Sequence, residues 1–388
     1  FIFFSLGHFA NDLAPCSVVI LAPAVALEMG LSPFEVGLLI SLHSIGGASG
    51  YFPAGLLADS SRDRGRLLML TFWWVGAGYL LASLAPGFWS LALLFALAGF
   101  GDAVWHPLAT TILVQNAPSR RAQAIGIHAF GGTLAAVIGP VIVGILLARL
   151  DWRESLQCIA FPALLAGLLF LKIRRWVPEQ PSGRVWSKLE LAPLLRLWSR
   201  KRGILIIALM GSYHMALVAL MSMIPLYLQE YHGLSSAQTG FAFGAMVLAG
   251  AVLQPLIGRL SDAVGRRQVI IFGTSVSTLC TASVPFFEDR GFLGYILAAL
   301  VAGVAMLECI RSTVLASAVE YTGTREGTTL GFAFFLMDGV GAMGALLAGW
   351  VAGIKFSHVF LLASALSATA LLLGLFVSLR SSRLAAVS

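Results

Sequence analysis

The sequence predicts an all-α integral membrane protein: twelve transmembrane helices in two pseudo-symmetric bundles of six. Three observations lead there. Of 388 residues, 58% are hydrophobic and only 11% charged, whereas a water-soluble domain carries about a quarter charged residues. The apolar residues gather in runs long enough to cross about 30 Å of hydrocarbon as helices. A segment of the first half also returns in the second.

In order, the runs cover residues 1–27, 34–58, 67–86, 88–116, 121–148, 155–176, 203–229, 237–260, 268–287, 291–318, 327–353 and 357–379. Phe1 already stands inside the first, so no cleavable leader is expected in this sequence. The charges sit between the runs. Assigning alternate loops to opposite sides puts 20 Lys and Arg on one side and 4 on the other, with Arg311 left inside a run. Basic loops mark the cytoplasmic side, so both termini are expected there, in a bacterial inner membrane. The basic stretch 177–202 is then a cytoplasmic linker between an N-terminal bundle, 1–176, and a C-terminal one, 203–388. The net charge of +7 reads as a membrane-surface signal, and no nucleic-acid partner is expected. Cys16, Cys158, Cys280 and Cys309 lie scattered in apolar runs without metal-site spacing, so no resident metal or cofactor is expected. No HExxH, GxSxG or Walker-A pattern appears, which argues against an enzyme.

The repeat is read directly. "GLSPFEVG" at 30–37 returns as "GLSSAQTG" at 233–240, a shift of 203. The same shift, without a gap, carries Gly55 onto Gly258, Leu57 onto Leu260 and Asp59 onto Asp262. With six helices per half, the repeats run parallel. Proteins built this way place substrate between the halves, near the membrane midplane.

The charged ends of the repeat are "GLLADSSRDRGR" at 55–66 and "GRLSDAVGRR" at 258–267. Both resemble the signature loop of the major facilitator superfamily, G-x-L-x-D-x-x-G-R-[RK]. The second copy is complete through Gly258, Asp262, Gly265, Arg266 and Arg267; the first has Gly55 and Asp59 but Arg62 in place of the later glycine. Glycine at these positions permits close helix approach. An aspartate at a cytoplasmic helix end can hold a neighbouring helix terminus or an arginine. The resemblance implies that these residues gate the cytoplasmic side. "GGTLAAVIGPVIVG" at 131–144 is similar to a glycine–proline pattern of the superfamily's exporters, carried by Gly139, Pro140 and Gly144. "GHFAND" at 7–12, "VWHP" at 104–107 and "RAQAIGIHAFGGTLAAVIGP" at 121–140 resemble the fosmidomycin resistance protein group within the superfamily. That resemblance implies proton-coupled efflux of small, anionic or drug-like compounds.

Ionisable groups are costly inside a bilayer, so each one there marks a functional candidate. His8, Asn11 and Asp12 are spaced i, i+3, i+4 and share a helix face. The repeat sets His214 opposite Asn11. Asp102 and His106 lie four residues apart in "GFGDAVWHP", where Asp102 either forms a proton relay with His106 or orients it for packing. Glu308 and Arg311, at i, i+3, can neutralise each other, and a shift of 205 sets Arg311 against His106. Asp338 is either a second acid in a proton path or the partner of a neighbouring helix. Tyr51 and its repeat mate Gln254 are candidate cavity groups, while His43 and His128 fit hydrogen-bonded packing residues as well as site residues.

These readings converge on an alternating-access transporter, a proton-driven antiporter exporting a small organic molecule, acting as a monomer with substrate, protons and lipid as its partners. Asp12 and Glu308 are the expected proton carriers, with His106 as relay. The alternatives are a proton symporter taking up a small organic anion, and a divalent-metal carrier using His8, Asp12 and His106.

Overall fold

The computed structural model describes residues 2–116, 120–179, 195–288, 290–322 and 326–376. Among the described residues all regular structure is helical. In chain order the helices are α1 (Ile2–Asp12), α2 (Val18–Met29), α3 (Pro33–Ser60), α4 (Arg64–Ser83), α5 (Phe88–Asn116), α6 (Arg121–Leu146), α7 (Trp152–Ile173), α8 (Lys201–Glu230), α9 (Ser236–Val264), α10 (Arg266–Glu288), α11 (Leu293–Thr322), α12 (Glu326–Ala352) and α13 (His358–Phe376). Most of the linker, 180–194, lies outside the described residues, as does Arg325, a reference point for the second repeat shift.

Within the described residues every apolar run is mainly helix, but length and apolarity do not separate twelve spans. Ten helices can each cross a membrane, and the bent pair α1 and α2 makes an eleventh. That first run is broken by 42°. Pro15 lacks an N–H, and its ring collides with the carbonyl four residues back, so a straight helix cannot continue. A short 3-10 turn, Pro15–Ser17, fills the gap. At 28 residues α3 is long enough. However, Ser41, His43, Ser44, Gly46, Gly47, Ser49 and Gly50 dilute its hydrocarbon, and it falls short of the other spans in apolarity.

The repeated segment is helix punctuation. Gly30 and Gly233 adopt left-handed backbone, at φ 66° and 63°, which glycine takes without a Cβ clash. Each is followed by a capping box. Ser32 N–H donates to Glu35 Oε2 at 2.7 Å, and Glu35 N–H returns to Ser32 Oγ at 3.3 Å. Ser235 N–H donates to Gln238 Oε1 at 2.9 Å, and Gln238 N–H to Ser235 Oγ at 3.2 Å. The last residue of each copy is a close-approach glycine. A Cβ on Gly37 would strike the Ala345 carbonyl and sit 3.1 Å from Gly349 Cα; one on Gly240 would strike the Pro140 carbonyl and sit 3.2 Å from Gly144 Cα.

The chain divides into two compact units, residues 1–31, 42–186 and 228–244, and residues 32–41, 187–227 and 245–388. The two glycine contacts fall inside these units: Gly240 keeps 228–244 with α6, and Gly37 keeps 32–41 with α12. In the first unit α4 packs along α5 and α7, and α1 along α6; in the second, α10 packs along α11 and α13. Trp105, Phe72, Tyr79 and Phe95 fill the first interior, and Tyr213, Tyr227, Phe356 and Phe360 the second. Outward positions such as Trp89, Leu93, Phe130, Phe161, Leu279 and Phe286 are exposed and apolar, as a lipid-facing surface requires.

Candidate functional site

The break after Asp12 places three polar residues at the end of α1, where α5 and α6 meet it. Helical spacing sets His8, Asn11 and Asp12 on one face of α1 and Asp102 and His106 on one face of α5, and the structure brings the two faces together. His8 Nε2 lies 3.1 Å from Asp12 Oδ2. His106 Nε2 lies 3.8 Å from both Asp12 Oδ1 and Asp102 Oδ2. Asn11 is wholly buried, and its amide N–H groups tie the two acids together, donating to Asp102 Oδ1 and, at 3.1 Å, to Asp12 Oδ1.

The histidines are held from behind. His8 Nδ1 lies 2.8 Å from the His128 backbone oxygen. A carbonyl can only accept, so Nδ1 carries the proton and Nε2 faces the carboxylates. The His8 ring stacks on His128 at 4.2 Å and meets His106 edge-on at 5.1 Å, while Tyr51 lies 6.1 Å from His106. Behind the cluster stands Trp105, fully buried between Phe72 at 4.6 Å and Phe170 at 5.9 Å. This apolar wall lowers the local dielectric and strengthens every polar contact beside it.

In the second unit, His214 of α8 lies 3.1 Å from Asp338 of α12. Tyr213 donates to the Leu307 carbonyl at 2.8 Å and lies within electrostatic reach of Glu308, Arg311 and Asp338. Glu308 and Arg311 are half-buried on adjacent turns of α11, and the Glu308 Cβ closes against Gly250 of α9. Gln254 is half-buried on α9.

Sequence reasoning missed four features. Gly132 and Gly341 are seats for the two first-helix histidines. A Cβ on Gly132 would lie 2.5 Å from His8 Nε2, and one on Gly341 would strike the His214 ring. Nothing in the sequence separates these glycines from the others of their glycine-rich helices. The Trp105 wall is the third. The fourth is Tyr79, whose hydroxyl meets His43 Nε2 at 2.7 Å, with Phe95 beside the His43 ring. The signal for the broken first helix, Pro15, was visible in the sequence.

At the repeated charged loops the structure is uneven. Arg266 bridges Asp262 at 3.2 Å and Glu320 of α11 at 2.7 Å. Arg267 donates to the Gly374 carbonyl at 3.0 Å and to the Leu375 carbonyl. Gly265 has φ 104°, a turn only glycine makes readily. In the first copy Arg62 meets Glu179 at 2.7 Å on the surface, and Asp63 caps α4 by accepting from Arg66 N–H at 2.8 Å. The side chain of Asp59 lies outside the described residues. Among the described residues, the close helix approach expected at Gly55 and Gly258 is absent: a Cβ on either meets nothing within 4 Å. The exporter-like pattern is tight instead. A Cβ on Gly139 would lie 2.9 Å from Ser17 Oγ, beside the break in the first span, and one on Gly144 2.5 Å from the Ser236 carbonyl. Pro140 lies within α6.

Comparison with known proteins agrees with this architecture. The sequence model of the Major Facilitator Superfamily matches residues 4–235 and 206–386. The fosmidomycin resistance protein of Escherichia coli (strain K12) is 26% identical over 365 residues, covering 90% of this chain and 85% of that protein. The hexuronate transporter of Bacillus subtilis (strain 168) is 27% identical over 391 residues, covering 94% and 91%. Among solved structures, a peptide transporter, POT, in complex with sulfate has a TM-score of 0.79 at 14% identity, covering 97% of this chain and 92% of that one.

Proposed function

The chain belongs to the Major Facilitator Superfamily, a multi-pass membrane transporter rather than an enzyme, and from that premise we propose that it is a proton-coupled antiporter exporting a small organic compound, anionic or drug-like, by alternating access. The observation that carries this reading is the cluster on α1 and α5. Two carboxylates and two imidazoles, Asp12, Asp102, His8 and His106, share contacts of 3.1–3.8 Å inside candidate spans. Such a group is too costly to retain for packing alone. Groups this close exchange protons as one coupled unit. Substrate and proton then compete for it, and the inward proton gradient drives extrusion.

Glu308 is the second acid of the cycle, and Arg311 receives an anionic group of the substrate. Asp59, Arg62, Asp262, Arg266 and Arg267 gate the cytoplasmic side, and Gly139, Pro140 and Gly144 give α6 its packing face. The working halves are 1–176 and 203–388, joined by the linker 177–202. The excess of basic residues in one set of loops supports cytoplasmic termini in a bacterial inner membrane, with the chain acting as a monomer. Export is supported by the similarity to the fosmidomycin resistance protein. The similarity to the hexuronate transporter supports a second reading, uptake of a small organic anion by symport.

The test is transport in proteoliposomes under pH gradients of both signs. Antiport moves substrate against its gradient as protons enter; movement of both in one direction would select symport. Asp12→Asn and Glu308→Gln should each uncouple substrate from protons. Wild-type coupling in both variants would remove these residues from the mechanism.

A further inference from the structure

We propose that His8, Asp12 and His106, with Asp102 able to join them, bind one divalent transition-metal cation of the Zn2+ or Co2+ class. This goes beyond the transport reading and does not rest on it.

The donor atoms point the right way. One donor atom each from His8, Asp12 and His106 lies within 4.8 Å of the others. Around a tetrahedral cation with bonds of about 2.0–2.1 Å, neighbouring donors stand about 3.3 Å apart. His8 Nε2 stands 3.1 Å from Asp12 Oδ2 and His106 Nε2 stands 3.8 Å from Asp12 Oδ1, so the two imidazoles flank the two oxygens of one carboxylate, and a cation between them requires that carboxylate to turn and His106 to move inward. Asp102 Oδ2, 3.8 Å from His106 Nε2, is placed to take the fourth position.

The second independent observation is the outer layer. A metal-binding histidine characteristically donates its other ring N–H to a carbonyl or carboxylate, which fixes tautomer and orientation. His8 does this through Nδ1 to the His128 carbonyl at 2.8 Å. Both carboxylates are oriented by the Asn11 amide, and Asn11 is fully buried.

Charge supports the same conclusion. Two carboxylates and two neutral imidazoles balance one divalent cation, so the complex is neutral where net charge is most costly. Imidazole with carboxylate favours Zn2+, Co2+ and Ni2+; Mg2+ and Ca2+ prefer all-oxygen shells. Binding requires neutral imidazoles and ionised carboxylates, so metal displaces the protons held by the cluster.

The test is Co2+ titration of the purified full chain in detergent, read by the visible d–d band of tetrahedral cobalt. The expected result is a saturable band at one equivalent, abolished by Zn2+ and untouched by Mg2+ or Ca2+, with proton release into weakly buffered medium. His8→Ala and His106→Ala should each weaken binding at least about tenfold, while His358→Gln, at the start of α13, leaves it unchanged. Should those variants fail to fold, wild-type protein decides alone, since Zn2+ must raise its melting temperature in a dose-dependent way. Absence of both the band and the stabilisation in wild type, or persistence of the band in a folded His8→Ala/His106→Ala double variant, overturns the site. Equilibrium binding uses no gradient and no transported substrate, so failure of the metal site and failure of antiport are read separately.

Discussion

Replacing Gly132 by alanine asks whether the polar cluster depends on one missing methyl group. The added Cβ would lie 2.5 Å from His8 Nε2 and 2.6 Å from Cε1. Ordinary contact needs about 3.5 Å, so the ring must retreat by about 1 Å. Its Nδ1 is anchored 2.8 Å from the His128 carbonyl and its Nε2 3.1 Å from Asp12, so a shift of that size breaks at least one contact. Losing a hydrogen bond costs about 1 kcal/mol. Overpacking of a fitted interior adds about 1–3 kcal/mol. The variant should therefore lose about 2–4 kcal/mol of stability, together with most of its proton-coupled transport. Gly126→Ala on the same helix is the control, because a Cβ there meets nothing within 4 Å; it should stay within about 0.5 kcal/mol of wild type. The assays are denaturant unfolding in detergent and substrate flux in proteoliposomes under a pH gradient. If Gly132→Ala unfolds with Gly126→Ala and keeps coupled flux, the fitted seat for His8 is refuted.

Three further outcomes follow from the same structure. Gly265→Ala places a Cβ at φ 104° and 2.7 Å from Gln268 Oε1, and should cost about 1–3 kcal/mol. Gly258→Ala, with open space around it, should cost far less, and equal losses in unfolding assays would count against the turn geometry. A double-mutant cycle of Arg266→Gln and Glu320→Gln should give a coupling of about 1 kcal/mol from the 2.7 Å pair; additive losses would mean that the pair contributes nothing. His214→Gln removes the 3.1 Å contact to Asp338 and should destabilise by about 1 kcal/mol, the worth of one lost hydrogen bond. Adding Asp338→Asn should recover part of that loss, and a further full loss would refute the pairing.

Local signals carried much of this protein. The runs of hydrocarbon became helices, and the "GLS" repeat proved to be a left-handed glycine followed by a capping box in both copies. Spacing also put His8 with Asp12 and Asp102 with His106 on single helix faces. The break at Pro15 was legible but went unread, because hydropathy alone runs smoothly through it. Gly55 and Gly258 misled for the opposite reason. A glycine in a helix signals that close approach is permitted, and only a neighbour's position says whether it occurs.

The amino-acid sequence by itself determined that the chain is helical and lives in lipid, that it repeats, and which faces hold polar groups, because helix period and side-chain transfer energy act within one segment. The tertiary structure decided which faces meet. It set α1 against α5 so that His106 comes within reach of Asp12, joined His214 to Asp338 across two helices, and gave His43 to Tyr79. The pairings between helices join residues 36 to 124 positions apart. They depend on how close two helices can come, and at Gly132 and Gly341 that distance is set by the absence of a single carbon.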